Sequence, residues 1–478
     1  MSGMSSSIKF GTSGWRAVIA GEFTQANVQK VVESIAAYVV SAHPDPSLLA
    51  SLLVGYDTRF LSETFAAQAA EILARRGIDC FLSGQPVPTP ALAYEIRRRK
   101  TAGGINFTAS HNPAEYNGIK FSTADGAPAL PNVTKQIEAR ISRPAPASPP
   151  PRPGRVETVD LRPAYLEELA RKVKLEVIRA AGLRLAYDPL YGAGLGYLDG
   201  ALAQAGIPVV TIHGHRDVLF GGHPPEPAEE FLQPLAQTMK ENNSHLGLAT
   251  DGDADRFGIL DEGGKFIHPN HVLALLLDYL IESRPWAKER GWQGGVARSI
   301  ATTHMIDAVA KHHSLPVYET PVGFKFIGEL IDKDQIILGG EESAGMTIRH
   351  HVPEKHGILA CLLTAEMVAA RRASLGQQIQ ELFRKVGSFY PGRWNVPLTE
   401  TVRNRFAERS QQEYSFFQGR RIAKVQRTDG LKMILEDGSW VLFRLSGTEP
   451  VCRLYCEAPT EKGLEELAQA ARKFLFGE

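Results

Sequence analysis

Cysteine is scarce in this chain: there are four in 478 residues, Cys80, Cys361, Cys452 and Cys456. Their number and scatter favour buried free thiols of a reducing compartment over metal ligands or a disulfide. Cys452 and Cys456 are evenly spaced in a strand-like run and so share one face. Long apolar runs are missing too. No stretch is long enough to span a bilayer, and Met1 to Phe10 carries no apolar signal core. A cytoplasmic location without a membrane partner is expected. Charge of one sign is also absent, since 53 Lys plus Arg balance 53 Asp plus Glu. Nucleic-acid binders carry a basic excess, so no nucleic-acid partner is expected. No Gly-x-x-x-x-Gly-Lys-Ser/Thr loop occurs, which removes the usual nucleotide cradle of a kinase.

A chain of this length exceeds one core and suggests roughly three or four domains. Apolar strands alternate with amphipathic helical stretches. Leu52 to Tyr56 reads as a strand, Ser62 to Arg76 as a helix ended by Gly77, and Ile78 to Leu82 as the next strand. This rhythm favours an α/β unit with a largely parallel sheet. Arg143 to Gly154 (RPAPASPPPRPG) breaks it, because proline removes donors and fixes φ. The segment reads as a stiff linker. Strands at Leu183 to Tyr187, Pro208 to Ile212, Leu246 to Thr250 and Phe257 to Leu260 form a second α/β unit. A third holds the helical run His271 to Ile281, the strand Val296 to Ile300 and the helix Ile358 to Ala370. The last turns β-rich at Trp440 to Arg444 and Val451 to Glu457, then closes with a helix from Glu461 to Phe474. The expected units are residues 1–145, 155–262, 263–388 and 389–478: three similar α/β domains with mixed sheets and a smaller α+β domain.

Three stretches carry chemistry. Thr108-Ala109-Ser110-His111-Asn112-Pro113 sets a hydroxyl beside an imidazole, with Lys120 close behind. Alone, the same letters also suit a helix cap. Asp251-Gly252-Asp253-Ala254-Asp255-Arg256 follows a short strand, and its alternating carboxylates can aim at one point. Massed carboxylates repel unless a cation neutralises them, and oxygen ligands select Mg²⁺ or Ca²⁺. An EF-hand is disfavoured: Glu262 falls at the twelfth position, but the sixth, where glycine is required, is Arg256. Arg444-Leu445-Ser446-Gly447-Thr448-Glu449-Pro450 offers a guanidinium, two hydroxyls and a glycine between strands, a set suited to phosphate. Arg453 lies even-spaced beyond it. Weaker signals are Gly340-Glu341-Glu342-Ser343-Ala344-Gly345, able to accept from vicinal sugar hydroxyls, and Gly11 to Arg16, which can set Arg16 over a phosphate. A nucleophile, a hard-cation loop and an anion loop together point to phosphoryl transfer.

In this order, the motifs resemble the α-D-phosphohexomutase family across nearly the whole chain. The form Gly-Glu-Glu-Ser and the segment Thr320-Pro321-Val322-Gly323-Phe324-Lys325 are most similar to phosphoglucomutases. The resemblance implies a heart-shaped, four-domain enzyme in which each domain lends one loop to a central cleft. It implies that Ser110 is the phosphoserine and that Asp251, Asp253 and Asp255 bind one Mg²⁺, with an oxygen of phospho-Ser110 completing the shell. Glu341 and Ser343 would contact sugar hydroxyls, with Val322, Gly323, Lys325 and Lys355 also at the substrate. Arg444, Ser446, Gly447, Thr448 and Arg453 would hold the phosphate not being transferred. Arg16 and Arg256 are candidates for transition-state charge. Lys120 or His111 would serve as general acid or base, with Lys120 favoured for proton transfer and His111 for orienting the serine phosphate. A sugar 1,6-bisphosphate would act as activator. Glucose 1-phosphate and glucose 6-phosphate are the expected substrates. Mannose or dual specificity is the alternative, glucosamine or pentose phosphates stand further off, and a noncatalytic metal-dependent sugar-phosphate binder is the reading of another class. The state expected is monomer or dimer. Three departures stand out: Ala344-Gly345-Met346 lacks the histidine found there in phosphomannomutase-like and phosphoglucosamine-mutase-like members, His356 replaces the usual aspartate of a Glu-Lys-Asp-Gly segment, and Arg298 stands where lysine is frequent.

Overall fold

The computed structural model describes residues 8–11, 14–42, 50–142, 152–289, 291–446 and 450–476. Most of the proline-rich linker therefore lies outside the described residues, as do Gly447 and Thr448.

Four sheets follow one another along the chain. In the first, Ser51–Tyr56, Asp79–Ser83, Gly103–Phe107 and Val156–Val159 run parallel, while Tyr116–Thr123 and Trp15–Val18 run antiparallel at one edge. Val156–Val159 pairs with Asp79–Ser83, so the chain returns to the first sheet beyond the proline-rich segment, past the boundary expected at 155. This short edge strand finds its partner more than seventy residues back, a pairing that local pattern does not encode. The second sheet joins Leu185–Asp188, Val209–Thr211 and Leu246–Thr250 in parallel, then Phe257–Asp261 and Lys265–Phe266 antiparallel. It thus extends past the unit boundary expected after 262. The third holds Val317–Thr320, Gly295–Ser299 and Ile336–Glu341 in parallel with Gly345–Ile348 antiparallel. The fourth is wholly antiparallel, runs from Tyr390–Pro397 to Phe416–Phe417, and carries the helix Glu461–Phe476.

The first three sheets share one device. A buried strand paired in parallel runs to a loop, and the chain returns antiparallel beside it. The loops so formed are 108–115, 251–256 and 342–344. Ligand loops of α/β sheets lie at the carboxyl ends of parallel strands, and this topology puts all three there. Leu246–Thr250 shows why the strand holds: all five residues are buried, as in a sheet covered on both faces. In the fourth sheet Trp440–Leu445 pairs antiparallel with Val451–Ala458.

The first domain has its own core around Val31, Ile35, Phe65 and Phe107. The second and third share a continuous core through Tyr187, Leu248, Leu276 and Leu362. The last domain packs around Leu431, Val441, Phe443 and Leu454, and meets the third through a small cluster of Ile300 and Ala301 with Trp440, Leu442 and Tyr455. All four cysteines are buried and free. Among the described residues, no helix is long and apolar enough to cross a membrane.

Candidate active site

Ser110 is fully buried and sits at φ 53°, a left-handed conformation uncommon outside glycine. Tertiary bonds hold it there. Its N–H donates to Thr108 Oγ1 (2.9 Å), and its carbonyl accepts from Arg59 Nη2 (2.6 Å). Arg59 also donates to the carbonyls of Asn112, Pro113 and Tyr116, while its Nε pairs with Asp57. No helix follows, so the helix-cap reading of this stretch is excluded: 108–115 is the turn between two strands. Arg59 is the organiser of that turn, and the sequence reading missed it.

The acidic loop meets the serine loop directly. Ser110 Oγ donates to Asp251 Oδ2 (2.7 Å). A Cβ at Gly252 would stand 2.6 Å from the Ser110 carbonyl oxygen, so only glycine allows this approach. Asp251 Oδ1 accepts the N–H groups of Asp255 and Arg256, which folds the loop back on itself. Asp253 Oδ2 accepts from Thr89 Oγ1 and Lys120 Nζ (both 2.5 Å), and Asp255 Oδ2 from Lys120 (2.8 Å) and Lys355 (2.7 Å). The three carboxylates present oxygens within 4.8 Å of one another, all buried. Asp253 Oδ1 and Asp255 Oδ1 have no hydrogen-bond partner. Two orphaned buried oxygens beside a third carboxylate are what a hard divalent cation satisfies, so these residues fit one. The flanking strands Leu246–Thr250 and Phe257–Asp261 exclude an EF-hand.

The electrostatics follow from crowding. Burial, then Asp255 and Asp253, pushes the Asp251 carboxyl well above the usual range. Burial alone would lower the Lys120 ammonium, but Asp253 and Asp255 raise it above the ordinary lysine value and keep it charged. Burial, then Arg256, Arg16, Lys355 and Arg393, drives the His111 imidazole well below its usual value and keeps it neutral. His111 Nδ1 lies 3.5 Å from Ser110 Oγ.

Beside Ser110 and the carboxylate triad, which do not themselves line it, opens a cleft of about 280 Å³ to which all four domains contribute. The first supplies Arg16, His111 and Asn112, and the second Arg256. The third supplies Val322, Gly323, Glu341, Glu342, Ser343 and Lys355, and the last Arg393, Arg444, Ser446 and Arg453. Arg16 donates to Asn112 Oδ1 (2.7 Å), and the buried Arg256 Nε has no partner. Arg444 and Arg453 are directly opposed on adjacent strands. Like charges so placed repel, the Asp429 carboxylate beside Arg444 offsets part of that, and the pair suits an anion. Lys325 is not among the lining residues: it lies on the helix Phe324–Asp332, its Nζ 5.4 Å from the Phe326 ring centre. Arg298 is also outside the cleft, paired with Asp307 and Glu319. His356 caps the helix Gly357–Arg371 by accepting the Leu359 N–H (2.9 Å) and bonds the Tyr165 hydroxyl, so it holds the Lys355 segment in place without entering the cleft. Arg393 is the second residue missed, since nothing near Tyr390–Pro397 in sequence marks it.

Arg59→Lys keeps the charge and gives up the planar fork. Loosening the serine turn is expected to lower kcat by up to about 10²-fold. Steady-state kinetics beside a divalent-cation titration would show the rate falling while cation affinity holds.

A hydroxyl bonded to a carboxylate triad, beside a cleft lined by arginines, is an arrangement suited to phosphoryl transfer. Comparison with known proteins agrees. Four models match in succession: the phosphoglucomutase/phosphomannomutase alpha/beta/alpha domains I (residues 7–147), II (163–264) and III (268–386), and the C-terminal domain (399–474). The chain is 30% identical to human phosphoglucomutase-1, over 96% of this chain and 92% of that one. It is 29% identical to the phosphoglucomutase/phosphomannomutase of Thermococcus kodakarensis, over 98% of each. A crystal structure from Thermus thermophilus, provisionally named a phosphomannomutase, superposes with a TM-score of 0.84 at 35% identity, covering 99% of this chain and all of that one. The chain belongs to the phosphoglucomutase/phosphomannomutase family of phosphohexomutases.

Proposed function

We propose that the protein interconverts glucose 1-phosphate and glucose 6-phosphate through phospho-Ser110 and a glucose 1,6-bisphosphate. The observation that carries this reading is the 2.7 Å bond from Ser110 Oγ to Asp251, next to a cleft that His111 and Asn112 line from the first domain and Arg444 and Arg453 from the last. One end of the substrate would react beside Ser110 while the other rests at the arginines. Two ends treated alike are what a mutase requires.

The free sugar hydroxyl attacks the phosphorus of phospho-Ser110. The new O–P bond forms as the P–Oγ bond breaks, and the serine oxygen leaves with a proton. Lys120 is the proposed donor of that proton, and His111, its Nδ1 3.5 Å from Ser110 Oγ, the proposed acceptor of the sugar hydroxyl proton. General acid–base help of this kind contributes about 10²–10⁴-fold. Arg16 and Arg256 face the cleft where charge builds on the transferring group. The bisphosphate then reverses end for end, and the second transfer returns a phosphoryl group to Ser110. Asp251, Asp253 and Asp255 would hold Mg²⁺, which supplies charge neutralisation at the transferring phosphoryl when bound.

Glu341 and Ser343 would read the sugar hydroxyls. Burial, with Glu342 beside it, raises the Glu341 carboxyl to about 7. A carboxylate accepts from sugar hydroxyls better than the protonated acid does. KM for glucose 1-phosphate is therefore expected to fall as pH rises through about 7, and Glu341→Gln should flatten that profile. An unchanged slope in the variant would assign the titration elsewhere. Interconversion of the two glucose phosphates, primed by the bisphosphate and compared with mannose, glucosamine and ribose phosphates, tests the whole reading. Steady release of inorganic phosphate would indicate a phosphatase, and binding without turnover a noncatalytic receptor.

A further inference from the structure

The third and last domains meet at Asp429, which joins two residues that line the substrate cleft, Arg444 and Val322. Asp429 lies in the turn between Arg420–Gln426 and Leu431–Leu435. Its Oδ2 accepts from Arg444 Nε (2.8 Å) and from the backbone N–H of Val322 (2.9 Å). Arg444 belongs to the last domain, while Val322 belongs to the third. The next amide along, Gly323 N–H, donates to Glu341 Oε1 (2.7 Å). Two successive N–H groups of one loop are thus held by two carboxylates, one on either side. Gly323 makes this feasible at φ 135°, ψ 115°, a conformation that residues with a side chain rarely adopt.

A continuous path results: Arg444 to Asp429, Asp429 to the Val322–Gly323 peptide, and that peptide to Glu341. The Asp429 end is anchored as firmly as the rest. Gly430 follows at φ 103°, and a Cβ there would stand 2.3 Å from the Phe443 carbonyl oxygen, so the turn is pressed against the strand that bears Arg444. Capture of Nε by Asp429 fixes the plane of the guanidinium, which decides where the rest of its fork points. The carboxylate also offsets the repulsion between Arg444 and Arg453.

We propose that Asp429 is a positioning residue that couples the two ends of the substrate. It ties the arginine for the resting phosphate to the carboxylate that reads the sugar hydroxyls, and it does so across the contact between the third and last domains. The proposal rests on the mutase reading for its kinetic form. A sugar phosphate that must bind in two opposite orientations needs its phosphate pocket and its ring pocket set to one another. Asp429 touches neither ligand group and acts through both.

The test is steady-state kinetics and calorimetric binding of glucose 6-phosphate with Asp429→Ala, Asp429→Asn, Glu341→Gln and the double variant Asp429→Ala/Glu341→Gln. Loss of a charged hydrogen-bond partner is expected to raise KM and Kd about tenfold to hundredfold in Asp429→Ala, with kcat changed much less. Asp429→Asn keeps an acceptor for Val322 but loses the charge toward Arg444, so it should fall between, and it serves if the alanine variant does not fold. The effect of Asp429→Ala should shrink about threefold or more in the Glu341→Gln background, as linked residues are not additive. A merely structural Asp429 would give factors that multiply independently. Unchanged KM and Kd, or strict additivity, would overturn the proposal. Wild type that binds glucose 6-phosphate without interconverting it would overturn the mutase reading instead, and the binding cycle would still decide the role of Asp429.

Discussion

Ser110→Ala is expected to lower mutase turnover by about 10⁵-fold or more, the scale seen when a nucleophile acting in a concerted set is removed. On the proposed mechanism this hydroxyl carries the phosphoryl group between the two ends of the sugar. Its bond to Asp251 fixes it against the carboxylate triad, and Arg59 locks the backbone that presents it. Alanine removes the oxygen and leaves the Arg59 bonds to backbone carbonyls intact, so the turn should persist. Glucose 6-phosphate should still bind, because Arg444, Arg453 and Glu341 belong to other domains. Calorimetry on the variant beside a coupled assay separates these effects. Activity equal to wild type would remove Ser110 from the mechanism.

Chelation of divalent metal, or Asp253→Asn, is expected to cost about 10³-fold or more in turnover, the worth of several kcal/mol of transition-state charge stabilisation. Asp253 bears one of the two orphaned carboxylate oxygens, and its other oxygen orients Thr89 and Lys120. Mg²⁺ should raise the melting temperature of wild type by binding the native state alone, and that rise should vanish in Asp253→Asn. Without the cation the variant should be somewhat less stable than wild type, because against burial and Asp255 the Lys120 and Lys355 ammonium groups hold the Asp253 carboxyl below its usual range, and asparagine gives up that pairing. Retained Mg²⁺-dependent activity would place the metal elsewhere.

The parts of this site that the sequence displays are those built from consecutive residues. Asp251 to Arg256 and the turn at Ser110 each lie on one loop between strands whose apolar runs are plain, and Leu246–Thr250 matches its expected bounds. The parts it conceals are built across the chain. Arg59 serves backbone carbonyls more than fifty residues away, and a carbonyl leaves no trace in composition. Arg393 enters the cleft from a strand of half-buried residues with no distinguishing pattern. Val156–Val159 looks like the far side of a linker because its partner strand is distant in sequence. Lys120 is visible as a nearby cation, but its grip on two aspartates of the next domain is not, and that grip decides its charge. Lys325 looks continuous in sequence with Val322 and Gly323, but it lies in the first turn of a helix, Phe324–Asp332, and is not among the residues that line the cleft.

The most direct measurement is mass spectrometry of the Ser110 peptide after incubation with glucose 1,6-bisphosphate, with the released sugar monophosphate quantified in the same sample. Stoichiometric phosphate on Ser110, lost on adding excess glucose 6-phosphate and absent from Ser110→Ala, is the expected result. Mutase activity with the phosphate absent from Ser110, or carried by another residue, would contradict the account.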